Sequence, residues 1–499
     1  MKADTSLFEL IRSLSKTEKT YFKKFSSRHS RNGSASSVEL FNEIEKSSLT
    51  YSEEEVKDTL SDMLPSDQFP VIKNYLYHNI LKSLTLYHLE NNDSIKLSSI
   101  INSADILYRR GLLKQAFKQL IKARTLANES RDDIKLLEIL NLERKTLRAM
   151  SSLNSSASQL FSSYSEEEMV LNRIGNTSGY RKLFDELVIF LTGKGISHQK
   201  EINNYLNKLI SGKLLRDYAQ AKTEYSRVLY CLIHSLSEFF LGNLKGSLNQ
   251  SKNLLNICRE TPKGKYLYGY EYILALQQIV SCLRAMNREA EVKKYISELI
   301  KDVDDILRNY PDRVKQFLHS RTLISEVNFY MGQRQYEKCK GLLDELLILI
   351  PRNPYRDEQV VVNYVAAVNN YFLGKKEKAL AHVNVIFNSK SFELRTDLQS
   401  AARIMNLILH YELGNTSNLK HFIRSVYNYL KKTNRLSEAE TTALEFIRNI
   451  SKTEDKDEIH RLFMKVKEDI RIIKSQKDFS EIVNLDFFLI WVDQRLRNG

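Results

Sequence analysis

The chain repeats one tetrad that ends in glycine: Phe239-Phe240-Leu241-Gly242, Phe329-Tyr330-Met331-Gly332, Tyr371-Phe372-Leu373-Gly374 and Tyr411-Glu412-Leu413-Gly414. The glycines are spaced by 414 − 374 = 40, 374 − 332 = 42 and 332 − 242 = 90 residues, the last being two steps of 45. A fixed period in this range is typical of helical solenoids, in which each repeat is a unit that cannot bury its apolar face alone. The tetrad therefore predicts a fold of stacked helical hairpins.

The segment after each glycine has the apolar spacing of an amphipathic helix. After Gly374 the apolar positions are Ala379, Leu380, Val383, Ile386 and Phe387, an i, i+3, i+4, i+7 pattern. The missing step between Gly242 and Gly332 falls near Asn287, and Asn tolerates left-handed backbone almost as Gly does. Upstream of Gly242 we expect two degenerate repeats, around residues 141–175 and 178–212.

Composition supports an almost wholly helical chain. The 499 residues are 42% hydrophobic and include only 6 Pro and 16 Gly, so helix breakers are scarce. The net charge is +14, which can indicate nucleic acid, a membrane surface or acidic partners. Since the basic residues are mostly interleaved with Glu and Asp, we favour ordinary solvated lysines.

Cysteine usage and hydropathy predict a cytoplasmic protein. Four cysteines occur without a C-x-x-C pair, which indicates buried helix positions rather than a zinc site or a redox dithiol. No signal peptide is expected at the N-terminus. No run of about 18 apolar residues occurs, so no transmembrane helix and no membrane insertion are predicted.

Local signals place helix starts outside the repeats as well. Capping boxes, in which a Ser and a Glu three residues later satisfy each other's backbone N–H groups, are predicted at Ser15/Glu18, Ser52/Glu55, Ser165/Glu168 and Ser437/Glu440. Residues 27–37 are Ser-rich and predict a flexible loop. Pro70 fits the first turn of a helix that runs through Tyr87. Near the C-terminus, Trp491 lies in a helix expected to cover the last repeat.

The stretch Gly111-Leu112-Leu113-Lys114-Gln115-Ala116, followed by Leu120 and Ala123, resembles the second half of a tetratricopeptide repeat. Gly374, Ala379, Val383 and Ile386 follow the same spacing. The period of 40–45 exceeds the 34 of that family, and its Trp and terminal Pro are absent. The start Leu7-Phe8-Glu9-Leu10-Ile11 and the end Asp486 to Trp491 are also similar to uncharacterised bacterial helical-repeat proteins, a resemblance that implies no activity.

No catalytic or cofactor-binding constellation emerges, so the chain is expected not to be an enzyme and to need no cofactor. Phosphate-loop, dinucleotide and H-E-x-x-H motifs are missing from the sequence. His78 and His88 are better explained as surface or partly buried histidines than as a metal pair. Asp302 to Asp305 is better explained as a solvated helical turn than as a metal loop. Glu53–Glu55 and Glu166–Glu168 are expected in the first turns of helices.

The basic N-terminus offers one candidate interaction surface. Residues 1–35 contain eight basic residues, with Tyr21, Phe22 and Phe25 between them: Lys2, Arg12, Lys16, Lys19, Lys23, Lys24, Arg28 and Arg31. This pattern fits a nucleic-acid-binding patch. It also fits an amphipathic helix with aromatic rings inward and lysines outward, which we favour.

The resemblance implies a second candidate surface, because the first helices of tetratricopeptide repeats line a concave groove. By position, Arg321, Asn328 and Tyr364 would face this groove and bind a partner. The alternative is that Tyr364 belongs to the core and that Arg321 and Asn328 are ordinary solvated residues.

Taken together, the sequence predicts an all-α, right-handed α-solenoid of tetratricopeptide-like hairpins. The expected domains are an N-terminal helical module at 1–92, the solenoid at 93–435 and capping helices at 436–499. The favoured function is a non-enzymatic scaffold or adaptor that binds a protein or peptide. The alternative is a regulator in which the basic N-terminal module binds nucleic acid and the repeats sense a partner. The partner's identity and the oligomeric state stay open.

Overall fold

A computed structural model describes residues 5–28, 34–46, 52–61, 65, 67–89, 92–150, 153–194, 199–308, 310–349, 356–388, 396–415, 418–433, 436–476 and 486–498. Throughout these ranges the regular structure is helical and no strand occurs, which confirms the all-α prediction. The chain forms two compact units, Met1–Ile174 and Gly175–Gly499. The domain boundaries expected after residues 92 and 435 stay predictions.

Among its described residues, the first unit holds eight helices and the beginning of a ninth. They are α1 (Ser6–Ser13), α2 (Lys16–Arg28), α3 (Ser34–Lys46), α4 (Glu53–Thr59), α5 (Phe69–His88), α6 (Asp93–Arg109), α7 (Leu113–Ser130), α8 (Asp133–Met150) and α9 (Leu153–Lys194), within which the division between the units falls.

The second unit continues with helices of 4 to 21 residues and one 3-10 turn at Tyr218–Gln220. They are α10 (Gln199–Ile210), α11 (Glu224–Phe240), α12 (Leu244–Glu260), α13 (Gly264–Leu267), α14 (Gly269–Ala285), α15 (Glu289–Leu307), α16 (Asp312–Gly332), α17 (Tyr336–Leu349), α18 (Arg356–Phe372), α19 (Lys376–Asn388), α20 (Thr396–Glu412), α21 (Leu419–Lys432), α22 (Glu438–Ile450), α23 (Lys456–Gln476) and α24 (Asp486–Asn498).

The capping residues explain where several helices begin. Ser15 and Glu18 form the full reciprocal box, with Ser15 N donating to Glu18 Oε2 at 2.7 Å and Glu18 N donating to Ser15 Oγ at 3.2 Å. Ser52 and Ser437 also accept from the backbone three residues on. The prediction for Ser165 is wrong, because Ser165 lies inside α9 and its hydroxyl donates to Phe161 O. A capping sequence inside a continuous helix has no orphan N–H groups to satisfy.

Left-handed residues close the hairpins. Gly111, Gly242, Gly374 and Gly414 have φ between 74° and 82°, and Asn287 has φ of 58°, as its position in the missing step predicts. The tetrad that ends at Gly332 differs from the others in where the left-handed residue lies. Gly332 is the last residue of α16, and the left-handed position is taken by Arg334 with φ of 59°. The turn residues from Asn287 onward are therefore spaced by 47, 40 and 40.

Hydrogen bonds across neighbouring hairpins keep a similar spacing. Tyr225 Oη donates to Glu271 Oε1 across 46 residues, and Ser320 Oγ donates to Glu358 Oε2 across 38 residues. Between them, Tyr270 N donates to Tyr310 Oη across 40 residues. First helices of successive hairpins thus hold each other through polar contacts at about one repeat length.

Helix α9 replaces the two degenerate repeats expected around 141–175 and 178–212. It runs without a break for 42 residues, and Gly175 and Gly179 lie inside it. A Cβ at Gly175 would meet no atom within 4 Å, so this glycine marks no close approach. A single Gly inside a helix costs only about 1 kcal/mol relative to Ala, and the helical turns on either side can offset this loss. The spacing of the upstream repeats was therefore misjudged.

The first unit begins with a small core that α1, α2, α3, α4 and α5 share. Phe22 and Phe41 lie in it with ring centroids 4.7 Å apart. Pro70 lies in the first turn of α5, as predicted. The loop expected at 27–37 is wrong at both ends, since α2 runs to Arg28 and α3 begins at Ser34. Residues 29–33 lie outside the described residues.

The second unit contains large clusters of buried apolar side chains, and the apolar stripe predicted after Gly374 belongs to one of them. Ala379, Val383 and Ile386 are buried in the cluster that also holds Trp491. All four cysteines are buried, which confirms the expected helix positions, and burial raises the pKa of Cys231 to about 12. Among the described residues, no helix is both long and apolar enough to cross a membrane.

Candidate partner-binding surface

Helix α16 presents two different faces outside the core. Glu326, Phe329, Tyr330 and Gln333 follow helical spacing along one side and line a cleft. Arg321 and Asn328 are seven residues apart, which is two turns, and so share another side. The two predicted residues on α16 and the α16 residues of the cleft therefore lie on different faces of this helix.

The two predicted residues on α16 differ in their surroundings. Arg321 is exposed, and its guanidinium carbon lies 5.5 Å from the centroid of the Phe317 ring, one turn earlier. Asn328 is half-buried two turns further on. Arg321 and Asn328 form a polar stripe, and the Arg321 guanidinium partly covers the Phe317 ring.

Tyr364 lies on another helix, α18, and is half-buried against the cluster that contains Tyr371 and Trp491. Moving the turn from Gly332 to Arg334 also changes which positions are equivalent. Tyr364 is ten residues before Gly374, and the residue ten before Arg334 is Ile324. Arg321 precedes Arg334 by thirteen residues. The position on α16 equivalent to Tyr364 is therefore Ile324 and not Arg321.

The cleft is a cavity of about 260 Å³ between α15, α16 and α17, which the sequence analysis missed. Its apolar wall consists of Ile296, Ile300, Phe329 and Tyr330. Its polar lining consists of Lys293, Ser297, Glu326, Gln333, Gln335 and Lys338. The cleft thus offers an apolar surface bordered by charges of both signs.

The two lysines of the cleft have no carboxylate partner among the described residues. Lys338 Nζ lies 5.3 Å from the centroid of the Tyr330 ring, a cation–π arrangement that leaves its three N–H groups available. Lys293 extends into solvent from the facing helix. Two ammonium groups at the rim of an apolar cleft favour a carboxylate-bearing ligand.

Two polar side chains of the cleft have unusual surroundings. Burial raises the pKa of Glu326, helped by the nearby charge of Glu345 and opposed by His319. The Oε1 atom of Gln335 is buried without a hydrogen-bond donor in the described part of the chain. Since an unpaired buried acceptor is costly, it is a natural place for a donor from a ligand. No motif marks these residues, because the cleft arises only when the turn brings Gln335 against α15.

Two lysines of the basic N-terminal patch share one carboxylate in the fold. Lys19 Nζ and Lys23 Nζ lie 3.4 and 2.8 Å from the carboxylate of Glu45 on α3. Phe22 and Phe25 are buried, which confirms the amphipathic-helix interpretation. Lys2 and Arg31 lie outside the described residues.

Other acidic and histidine candidates prove structural. Asp302 is buried rather than solvated, 2.7 Å from Lys265 Nζ, and accepts from Tyr272 Oη at 3.0 Å. His88 Nε2 lies 2.8 Å from Glu18 Oε1, whereas His78 Nδ1 lies 2.8 Å from the carbonyl of Asn74. Within the described ranges, no three His, Cys, Asp or Glu side chains gather as a metal site.

Glu166 and Glu167 do not lie in a first turn, and that prediction is wrong. They lie in the middle of α9, where Arg124 bonds to Glu166 and Arg144 Nη2 donates to Glu167 Oε1 at 2.7 Å. Glu53–Glu55 do begin α4, as expected. The misplaced carboxylates therefore pair with arginines of α7 and α8 instead of with a helix dipole.

No protein-family model and no curated protein matches this amino-acid sequence. The functional assignment therefore depends on the chain's own residues and geometry.

Proposed function

We propose that the chain is a non-enzymatic scaffold whose second unit forms a right-handed α-solenoid of tetratricopeptide-like hairpins and binds a protein or peptide partner. The hairpins closed at Gly242, Asn287, Arg334, Gly374 and Gly414 support the solenoid. So do the polar contacts between first helices at about one repeat length. Each added repeat extends such a surface, so a partner segment can contact several hairpins.

The observation that carries the proposal is the cleft of α15, α16 and α17. It combines an apolar wall with the ammonium groups of Lys293 and Lys338 and with the Gln335 oxygen, all of them unpaired among the described residues. A peptide segment matches this set, because a peptide brings apolar side chains, carboxylates and backbone N–H donors together. We therefore propose a partner segment in which an acidic residue follows or precedes an apolar one.

The polar stripe of Arg321 and Asn328, with Tyr364 on α18, is proposed as part of the same partner surface. Arg321 supplies charged donors, Asn328 supplies a donor and an acceptor, and Tyr364 supplies a ring with a polar tip. The alternative regulator, with nucleic acid on the N-terminal module, is less favoured. Glu45 already pairs with Lys19 and Lys23, two of the basic residues that it needs.

The test is an affinity pull-down from the native cell followed by mass spectrometry, with wild type and two variants. One variant is Lys293→Glu with Lys338→Glu, and the other replaces Arg321, Asn328 and Tyr364 with Ala. We expect at least one wild-type partner to be lost from each variant, and melting temperatures check that each variant keeps its fold. Lys114→Glu with Lys118→Glu on α7 is the control of equal charge change. A partner list identical in all proteins would contradict the proposal.

A further inference from the structure

Helix α21 has a basic outer face that no sequence motif signals. Its inner face is buried through Leu419, Ile423, Val426 and Leu430, spaced at i, i+4, i+7 and i+11. The solvent-facing side exposes Lys420, Arg424, Lys431 and Lys432. The helix contains no Asp or Glu, so nothing on its own surface offsets these four charges.

These four cations are also free of ion pairs across the described residues. Neighbouring cations are not: Lys376 Nζ lies 2.8 Å from Glu412, and Lys467 Nζ lies 2.8 Å from Asp493. Carboxylates therefore neutralise Lys376 on α19 and Lys467 on α23, whereas the cations of α21 stay available to an anionic ligand. An unpaired cluster of one sign attracts anions more strongly than an interleaved surface does.

The charged groups are arranged along a line. Lys420, Arg424, Tyr427 and Lys431 follow steps of four, three and four residues, which keeps them on one stripe of the helix. The eleven helical steps from Lys420 to Lys431 span about 17 Å. Tyr427 lies between the cations and keeps 38% of its surface exposed. The stripe therefore alternates cations with an accessible aromatic ring.

This arrangement distinguishes among anionic partners. A lipid surface is disfavoured because the apolar side of α21 is buried in the core and cannot insert. An acidic protein segment would pair with the cations but would make no specific contact with the Tyr427 ring. A single-stranded nucleic acid uses both, since its phosphates contact Lys and Arg while an unpaired base stacks on an exposed aromatic side chain.

We propose that the outer face of α21 binds the backbone of a single-stranded nucleic acid, with a base stacked on Tyr427. Lys420, Arg424 and Lys431 contact successive phosphates, and Arg424 can hold one in bidentate fashion. Asn428, exposed beside the stripe, offers an amide to a sugar or base edge. Such binding tracks the backbone and so carries little sequence preference.

The test uses the full chain and a fluorescent single-stranded oligonucleotide of about 15 nucleotides, a length within the usual site sizes. Fluorescence anisotropy gives the affinity of wild type and of a variant with Lys420→Glu, Arg424→Glu and Lys431→Glu. The matched control is Lys114→Glu, Lys118→Glu and Lys122→Glu on α7. Those lysines are also exposed, unpaired among the described residues and spaced along one helix. Melting temperatures of both variants check the fold.

We expect the α21 variant to lose affinity by about tenfold or more and the α7 variant to change far less. The slope of log affinity against log salt should fall by about 2, since each phosphate contact with a single strand contributes about 0.7. Tyr427→Ala should weaken binding by about fivefold or more with an unchanged salt slope, because stacking releases no counterions.

Two results would overturn the proposal. Equal losses in the α21 and α7 variants would show attraction by net charge alone. Binding to anionic vesicles or to polyglutamate as tight as to the oligonucleotide, with no effect of Tyr427→Ala, would assign the face to another class of polyanion.

Discussion

The indole Nε1 of Trp491 donates a hydrogen bond to Glu412 Oε1 at 2.8 Å, joining the last helix to the last tetrad of the repeat. Arg495 Nη2 lies 2.6 Å from the same oxygen, and Lys376 Nζ lies 2.8 Å from the other. The Glu412 side chain is only 4% exposed. One carboxylate therefore connects α19, α20 and α24.

The Glu412 site predicts a pH dependence of stability. Burial raises the pKa of Glu412, but the hydrogen bonds from Lys376 and Trp491 and the charge of Arg495 outweigh it, so the pKa lies below its usual value. A carboxyl with a lowered folded pKa stabilises above its unfolded pKa and loses this contribution as the pH falls through the folded value. Glu412→Gln should therefore cost about 1–3 kcal/mol near pH 7 and progressively less below about pH 4.5.

Chemical unfolding of wild type and Glu412→Gln across this pH range checks that prediction. The two midpoints should converge on the acid side. A difference between the two midpoints that stays constant from neutral to acid pH would mean that the charge of Glu412 does not stabilise the contacts with α19 and α24.

Trp491 should be the most costly residue of the last helix to remove. It is fully buried, with ring centroids 5.2 Å from Phe463 and 6.0 Å from Phe446. Trp491→Ala should lower the free energy of unfolding by about 3–5 kcal/mol. Ile490→Ala, one residue earlier and 44% exposed, should change it by less than about 0.5 kcal/mol. Similar thermal shifts for both would show that α24 does not cover the core.

Ala379 tests the close approach of paired helices. It is fully buried on α19, so Ala379→Leu should overpack the hairpin and cost about 1–3 kcal/mol. Ala381, two residues on, is exposed, and Ala381→Leu serves as the control of identical chemistry. Differential scanning calorimetry should separate the two variants, and an unchanged transition for Ala379→Leu would refute the packing assigned to this helix.

The corrected turn position can be tested with glycine substitutions. Gly374 has φ of 76° and open space around its Cβ position, so Gly374→Ala should cost about 1–2 kcal/mol through the backbone alone. Gly332 is helical, so Gly332→Ala should be neutral or stabilising by up to about 1 kcal/mol. Melting temperatures would distinguish the two effects. A loss of stability for Gly332→Ala as large as for Gly374→Ala would place the turn at Gly332 instead of Arg334.

The sequence predicted the hairpins wherever a physical requirement selects a residue type. Glycine is favoured at Gly242, Gly374 and Gly414 because left-handed backbone penalises a Cβ, and Asn287 follows the same rule. Arg334 breaks it, since a long side chain there gives no signal. The continuity of α9 was not predicted, because the two repeats expected there came from the period alone and not from a residue that a turn requires.

The candidate surfaces were less predictable, because free charge depends on partners distant in the sequence. Lys23 and Lys431 look alike in sequence, yet Lys23 pairs with Glu45 on another helix and Lys431 pairs with no described residue. The cleft likewise depends on α15 facing the turn at Gln335. Arg321, Asn328 and Tyr364 came only from the resemblance to tetratricopeptide repeats, and their role in partner binding stays a prediction.

In-cell photocrosslinking tests the proposed scaffold most directly. A photoreactive amino acid replaces Asn328 on the polar stripe or Gln333 at the cleft, with exposed Lys118 on α7 as the control position. The account predicts that both test positions crosslink to the same protein and that Lys118 does not. Crosslinks at Lys118 alone, or none at either test position, would contradict a partner surface on α16.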